Sequence, residues 1–225
     1  MEFERLEYLI GKDKLNKLKT KNVLVLGIGG VGSSAVNALV RSGIGNITLV
    51  DYDKVDVTNI NRQLEAFHST LDTYKTEALK KIVLDINPDC NVKVINELID
   101  KNNVSLLFQD KYDFIIDCCD TIDTKKLVIK TCLDNKINFI TSMGTANKFD
   151  ASKLEITTLE KTFNDPIARI MRKYAKDNRL PLNKIKVLSS KEVPVKGSKL
   201  GSNSFVPPSA GILIANYVFL ELIKE

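Results

Sequence analysis

The chain has 225 residues, 44% of them hydrophobic and 27% charged, with a formal net charge of +5. That composition excludes a disordered or low-complexity chain and leads us to expect one large domain over residues 1–225, since no Gly-, Ser- or Pro-rich linker and no repeat divides it. Residues 1–21 mix acidic and basic side chains with no uninterrupted apolar core, so no secretory leader is expected and the expected location is the cytoplasm.

Residues 23–26, Val-Leu-Val-Leu, read as a short buried strand. Directly after it comes Gly27-Ile28-Gly29-Gly30-Val31-Gly32, and a helix is expected over 31–41, with Val31, Ala35, Ala38 and Leu39 at helical spacing. A strand, a glycine turn and a helix N-terminus in that order turn backbone N–H groups toward an anion. The next strand, 47–51, ends on Asp51, 19 residues past Gly32, where a ribose hydroxyl would find an acceptor. The pattern marks a nucleotide site without separating a dinucleotide from ATP.

A helix over 75–86 is expected to stop before Asn87-Pro88, because proline cannot continue it. Strands at 92–95, 114–117 and 139–141 then alternate with helical stretches at 103–108 and 124–133, the order of βαβ units in a mostly parallel sheet. Beyond Gly144 the rhythm changes. Polar-interrupted strands at 153–159 and 185–189 flank a basic amphipathic helix near 166–176, with Ile167, Ile170, Met171 and Tyr174 on one face. These strands are expected to extend the sheet in antiparallel fashion. The last apolar segment, 209–222, is about 14 residues, short of the ~17 needed to cross a bilayer, so it reads as a buried helix and no membrane partner is expected.

The cysteines, Cys90, Cys118, Cys119 and Cys132, form no C-x-x-C pair, and His68 is the only histidine, so neither a zinc site nor a disulfide framework is indicated. Charge is uneven. Residues 166–199 carry ten basic and two acidic side chains, a local +8 against −3 for the rest. Such an excess suits a polyanion such as tRNA, with Arg169, Arg172, Lys173 and Lys176 on the helix as candidate contacts, and suits a solvated lysine-rich face equally well. No aromatic residues interleave the run in the manner of a base-stacking motif.

Between Asp51 and Asp120 the chain carries Asp53, Asn59-Ile60-Asn61-Arg62-Gln63, Lys75 and Asp117-Cys118-Cys119-Asp120. In an open parallel sheet the strand C-termini share one crevice, so these groups converge near the glycine turn. Arg62 and Lys75 can spread the charge of a triphosphate and Asp120 can hold Mg²⁺, whereas a nicotinamide cofactor has no use for that set. On Gly27 to Gly32, Asp51, Asn59, Arg62, Gln63, Lys75 and Asp120, the chain resembles the ubiquitin-activating-enzyme superfamily of adenylyltransferases, which includes the molybdopterin- and thiamine-synthesis activating proteins. The fold implied is α/β: a Rossmann-like, mostly parallel sheet flanked by helices. The resemblance implies that Gly27, Gly29, Gly30, Gly32, Asp51 and Asp53 take part in holding ATP, that Asn59, Arg62, Gln63 and Lys75 hold its phosphates, and that Asp120 binds magnesium. It further implies a homodimer, in which Arg5, in Arg5-Leu6-Glu7-Tyr8-Leu9-Ile10-Gly11, reaches the other subunit's phosphates.

Within that superfamily the chain is most similar to the tRNA threonylcarbamoyladenosine dehydratases, on Asn59 to Gln63, on Ser142-Met143-Gly144 through Lys148, on Lys161-Thr162 followed by Pro166 and the basic helix, and on Ser204-Phe205-Val206-Pro207. This branch uses ATP to activate the threonyl carboxylate of a modified anticodon-loop adenosine, and the ureido group then closes a ring with loss of AMP. Residues 1–144 are expected to form the nucleotide-binding half and 145–225 the half that faces tRNA. A monovalent cation and a helper protein of sulfur-relay type belong to the same family picture, and no residue locates either. Two further readings stay open: an activator of a small carrier protein's C-terminus, and an NAD-binding module.

Overall fold

The structure, a computed structural model, describes residues 2–224. Helices α1 (Glu4–Ile10) and α2 (Lys12–Thr20) lead into β1 (Asn22–Leu26), α3 (Gly30–Arg41) and β2 (Asn46–Val50). Next come α4 (Lys75–Ile86), β3 (Asn91–Ile95), β4 (Phe114–Asp117), α5 (Ile122–Asp134) and β5 (Phe139–Ser142). The C-terminal part adds β6 (Leu154–Thr158), α6 (Pro166–Asp177), β7 (Lys186–Ser190) and α7 (Val206–Ile223). The strands form one sheet in the order β3-β2-β1-β4-β5-β7-β6.

The winding reverses at β1, which pairs in parallel with β2 on one side and with β4 on the other. Alternation along the strand sends Val23 and Val25 into the core under α3 and α7, and Leu24 and Leu26 into the core under α5 and α6. Both faces are covered, which is why the central strands read as continuous apolar runs. Leaving the sheet in opposite directions, the chain opens a crevice at the C-terminal ends of β1 and β4.

Lys125 of α5 reaches that crevice's floor. Its ammonium lies 3.0 Å from Asp117 Oδ2 and 3.1 Å from Thr141 Oγ1, while Thr141 donates to the same carboxylate oxygen at 2.6 Å. The backbone N–H of Cys119 donates to Asp117 Oδ1 at 3.1 Å. Both members of the ion pair are sealed from water, with side chains 1% and 0% exposed. Burial pulls the Lys125 ammonium down most strongly, and Asp117 together with the neighbouring Cys119 and Cys118 more than offsets it, holding the group above its ordinary value.

Three expectations change. The stretch at 103–108 is one tight 3₁₀ turn, Val104–Phe108, because a five-residue apolar segment between polar loops cannot nucleate an α-helix. Only β6 is antiparallel: it carries the chain back along the sheet so that β7 pairs in parallel with β5, and α6 sits in the connection between the antiparallel neighbours β6 and β7. The last helix is 18 residues, not 14, since Pro207 and Pro208 fit its first turn, and by length and composition alone it could span a membrane. Its placement argues otherwise: Val206, Ala210, Ile214 and Val218 are buried in the core shared with α3, and Tyr217 meets Phe114 edge-on at 6.2 Å.

Removing one partner of a sealed ion pair strands the other. Lys125→Met is expected to destabilise the protein by about 3–5 kcal/mol and lower the thermal midpoint by roughly 10 °C. Adding Asp117→Asn should recover part of that loss in calorimetry, and a double variant no better than the single one would rule out an uncompensated charge as the cause.

Candidate functional site

Gly27 ends β1 with φ +87°, and a Cβ there would stand 2.6 Å from the Cys119 backbone nitrogen. Only glycine lets the turn after β1 pass that close to the turn after β4. At Gly32 a Cβ would meet the Gly27 carbonyl oxygen at 1.9 Å, so the first turn of α3 folds directly back on the glycine loop. The N–H groups of Gly30, Val31 and Gly32 open α3 without intrahelical acceptors and point their dipole at the crevice.

Asp51, just past the end of β2, fastens this loop. Its Oδ2 accepts from the Ile28 N–H at 2.6 Å and its Oδ1 from the Asp53 N–H at 2.8 Å. Burial pushes the Asp51 carboxyl above its ordinary value, against the pull of Lys75 and of those two N–H groups. The residue therefore carries a structural duty that the sequence did not reveal. Each oxygen keeps a lone pair for an added hydroxyl.

A cavity of about 410 Å³ opens here, and Gly27, Gly29, Gly30, Asp51, Asp53, Asn59, Arg62, Gln63, Lys75 and Asp120 all line it. The convergence expected from the sequence is thus realised for these ten. Gly32 sits one step behind, shaping the loop without lining the cavity. Lys75 opens α4 and its ammonium lies 2.7 Å from Asp53 Oδ2. Arg62 is tethered through Nη1 to the Thr58 carbonyl at 2.9 Å and the Asn61 amide oxygen at 2.8 Å, which leaves the rest of its guanidinium fork for an anion. Asn59 turns its side-chain oxygen to the Asp56 N–H. Gln63 is buried, and its Oε1 has no partner among the described residues. A buried amide oxygen left open beside a glycine loop suits a donor brought by a ligand.

The tyrosine between the two aspartates was not singled out from sequence, and it reports the local field. Asp53 is the largest influence raising the Tyr52 phenol above its ordinary value, followed by burial, Asp120 and Asp51. Three carboxylates therefore act on this hydroxyl. Leu98 and Ile99, just beyond β3, add an apolar wall, and Leu200, Gly201 and Ser202 close the cavity from far along the chain. Leu98 and Ile99 were legible in principle, because they follow a parallel strand's C-terminal end. The 200–202 segment had no local signal.

Arg5 does not line this cavity and lies exposed on α1, a helix with no buried residue. Cys118 and Cys119 do line it. Burial pushes the Cys118 thiol up to about 12 and Cys119 well above its ordinary value, so neither is an activated nucleophile. On α6, Arg169, Lys173 and Lys176 are exposed, whereas Arg172 is spent locally, donating to the Thr162 carbonyl at 2.7 Å and to its hydroxyl.

The ThiF family profile matches residues 4–201. The tRNA threonylcarbamoyladenosine dehydratase of Bacillus subtilis is 38% identical over 243 aligned positions, covering 100% of this chain and 95% of that protein. Its namesake in Haemophilus influenzae is 42% identical, over 76% of this chain and 66% of the relative. Among solved structures, the E. coli tRNA N6-threonylcarbamoyladenosine dehydratase, TcdA, in complex with ATP superposes with a TM-score of 0.94 at 31% identity, covering 99% of this chain and 93% of that one.

Beside the cavity, Glu65 is fully buried and neither carboxylate oxygen meets a donor among the described residues. Burial pushes it from 4.5 up to about 7, despite nearby Ser33 and Lys75. A carboxyl raised on folding binds more protons in the folded state between those values, so stability is fullest below about 4.5 and is lost as pH rises through about 7. Glu65→Gln is expected to stabilise the protein by about 2–3 kcal/mol at pH 8 and to change nothing near pH 4.5, as read by denaturant titration across pH. A gain that did not vary with pH would remove burial of the charge as its source.

Proposed function

We propose, from the premise that the chain belongs to the ThiF family, that it is an ATP-dependent tRNA threonylcarbamoyladenosine dehydratase. The observation carrying this reading is the cavity at the β1/β4 switch point, with a helix N-terminus, Arg62, Lys75 and Asp120 around it, in a chain that superposes over nearly its whole length on the E. coli dehydratase. In the reaction, the threonyl carboxylate oxygen attacks the α-phosphorus of ATP, and the bond to the bridging oxygen breaks as pyrophosphate leaves. The tethered ureido group then attacks the activated carboxyl carbon. The ring closes, AMP departs with the electron pair of the broken C–O bond, and one water has been removed overall.

The α3 N-terminus and Arg62 receive phosphate charge, with the side-chain amide N–H groups of Gln63 and Asn59 beside them. Lys75 trades its exposed partner Asp53 for the triphosphate, and Asp51 offers its spare lone pairs to the ribose. Magnesium fits the residues present. Asp53, Asp120 and Asp51 concentrate negative charge around Tyr52, and Mg²⁺ commonly takes only one or two carboxylates together with substrate phosphates. Asp120 is the residue proposed to hold it; when bound, the ion neutralises charge developing on the phosphate oxygens. No group of three or more His, Cys, Asp or Glu side chains able to cage a metal occurs among the described residues.

The shielded thiols favour this reading over a carrier-protein activator that passes its acyl group to cysteine. Cys118 lies at about 12, Cys132 at about 12 and Cys90 at about 11, all raised first by burial. Ring closure needs no such nucleophile, because the attacking group is already tethered at high effective concentration. In this proposal residues 1–144 handle the nucleotide and 145–225 the tRNA. The enzyme acts in the cytoplasm, and its tRNA-facing cations include Arg169, Lys173 and Lys176.

A homodimer completes the proposal. Arg5 does not line its own cavity, and Tyr8 and Leu9 near it are 76% and 80% exposed, an apolar surface suited to a second copy. Mass spectrometry of nucleosides from threonylcarbamoylated tRNA incubated with protein, ATP and Mg²⁺ should record the loss of one water, abolished by Asp120→Ala with the fold intact. No mass change with ATP binding preserved would refute the dehydratase reading. Mixing the inactive Arg5→Ala and Asp120→Ala proteins should restore up to about a quarter of wild-type turnover, because half the dimers are mixed and each of these holds one complete site. Activity that stays at zero in a verified mixed dimer would exclude catalysis across the interface.

A further inference from the structure

Three phenylalanines distant in sequence stand exposed around one hub beside the cavity. Phe149 is 71% exposed, Phe205 69% and Phe163 47%. The hub is polar and well bonded. The Glu192 carboxylate accepts from the Phe149 N–H at 3.0 Å and the Asp150 N–H at 2.9 Å, fixing the loop that carries Phe149. Asn203 bridges the other two sides: its amide nitrogen donates to the Lys148 carbonyl at 2.9 Å, and its amide oxygen accepts from the Phe205 N–H at 2.9 Å. Phe163 is held by its neighbours, because Arg172 donates to the Thr162 carbonyl and Asn164 donates to the Lys191 carbonyl at 3.1 Å.

Large apolar side chains held out in water by satisfied backbone need an occupant. Charge around them says which kind. Lys161 lies two residues before Phe163 and Arg169 six after it, and Lys196 and Lys199 sit on the strap that Val195 and Gly201 pin to Asn147, two residues from Phe149. All four are exposed and make no ion pair among the described residues, while Glu192 accepts from backbone N–H groups, Glu155 is paired with Lys191 at 2.6 Å and Glu160 is the exposed carboxylate beside Lys161. Cationic side chains interleaved with aromatic faces match a single-stranded nucleic acid, whose bases stack while its phosphates meet the lysines. The strap bearing Lys196 and Lys199 continues into Leu200, Gly201 and Ser202, which line the cavity, so bases on this surface would lie next to the reacting carboxylate.

We propose that Phe149, Phe163 and Phe205, framed by Lys161, Lys196, Lys199 and Arg169, form the dock for unpaired anticodon-loop bases flanking the modified nucleoside. This rests on the dehydratase reading and names the part of the tRNA that the enzyme grips. The exposed rings contribute little to the core, so their removal leaves the fold and ATP binding unchanged.

The test uses a short anticodon stem-loop RNA and fluorescence anisotropy over a salt series. The triple variant Phe149→Ala/Phe163→Ala/Phe205→Ala should bind at least about tenfold more weakly, with the salt slope of the wild type, since no charge is lost. The triple Phe→Tyr variant should restore affinity because it keeps the stacking face. Lys196→Ala/Lys199→Ala should instead flatten the slope by about 1 to 2. Equal affinity of the alanine triple and the wild type would overturn the dock, and so would a shift from dimer to monomer in sedimentation, which would assign the patch to a second copy. Wild-type protein that converts modified tRNA while the alanine triple does so equally well sinks the dock alone. Wild-type protein that neither binds the stem-loop nor converts the tRNA sinks the dehydratase reading with it.

Discussion

The site hangs on the ion pair between Lys125 and Asp117. Past Cys118, whose N–H still donates to the Leu26 carbonyl at 2.7 Å, β4 has no ladder partner, so the turn that follows needs another anchor. Asp117 supplies one by spending its second oxygen on the Cys119 N–H, two residues on, while Lys125 and Thr141 hold the first. That bond fixes the backbone that Gly27 passes at a distance no side chain could tolerate, and it sets where Asp120 leaves the sheet. A pair sealed this completely adds little net stability over an apolar substitute. What it contributes is placement of a turn that carries the proposed metal-binding carboxylate.

Electrostatics in the cavity follow from the same economy of backbone. The α3 N-terminus, Arg62 and Lys75 present positive potential, and Asp51, Asp53 and Asp120 present negative potential a short distance away. A dinucleotide, with only two bridging phosphates and no need of a divalent cation, would leave part of that alternation unmatched. A triphosphate with its cation can satisfy both signs at once. The raised Asp51, Tyr52 and Glu65 groups belong to the same picture, since each lies where burial or neighbouring carboxylates disfavour added negative charge.

The parts of this arrangement governed by local rules were readable along the chain. Gly27 to Gly32, the proline stop after Ile86 and the apolar run at 114–117 each carry their reason within a few residues. The fates of Asp51, Arg172 and Lys75 were not readable, because each is settled by a partner far away in sequence: Ile28 for the first, Thr162 for the second and Asp53 for the third. The start of α7 was missed because prolines at 207 and 208 look like an interruption, although two prolines fit a first turn whose N–H groups have no intrahelical acceptors in any case. The direction of β7 depended on β6 first returning the chain antiparallel to it, which no periodicity encodes.

A second sealed pair, Lys148 with Asp165, ties the loop after β5 to the start of α6. Lys148 lies 3.0 Å from Asp165 Oδ2 and 2.5 Å from the Gly144 carbonyl, and Asp165 Oδ1 caps α6 at the Ala168 N–H, 2.9 Å away. Gly144 lines the cavity and α6 carries the basic face, so one buried cation sets the spacing between them. A surface salt bridge could not do this, because water and salt would compete for both ends. With both side chains at 1% exposure or less, neither can leave without stranding the other, and the basic helix is held to the cavity as one rigid piece. For an enzyme whose nucleotide and polymer substrates must meet at a single carboxylate, that fixed spacing supplies the orientation that tethered ring closure exploits.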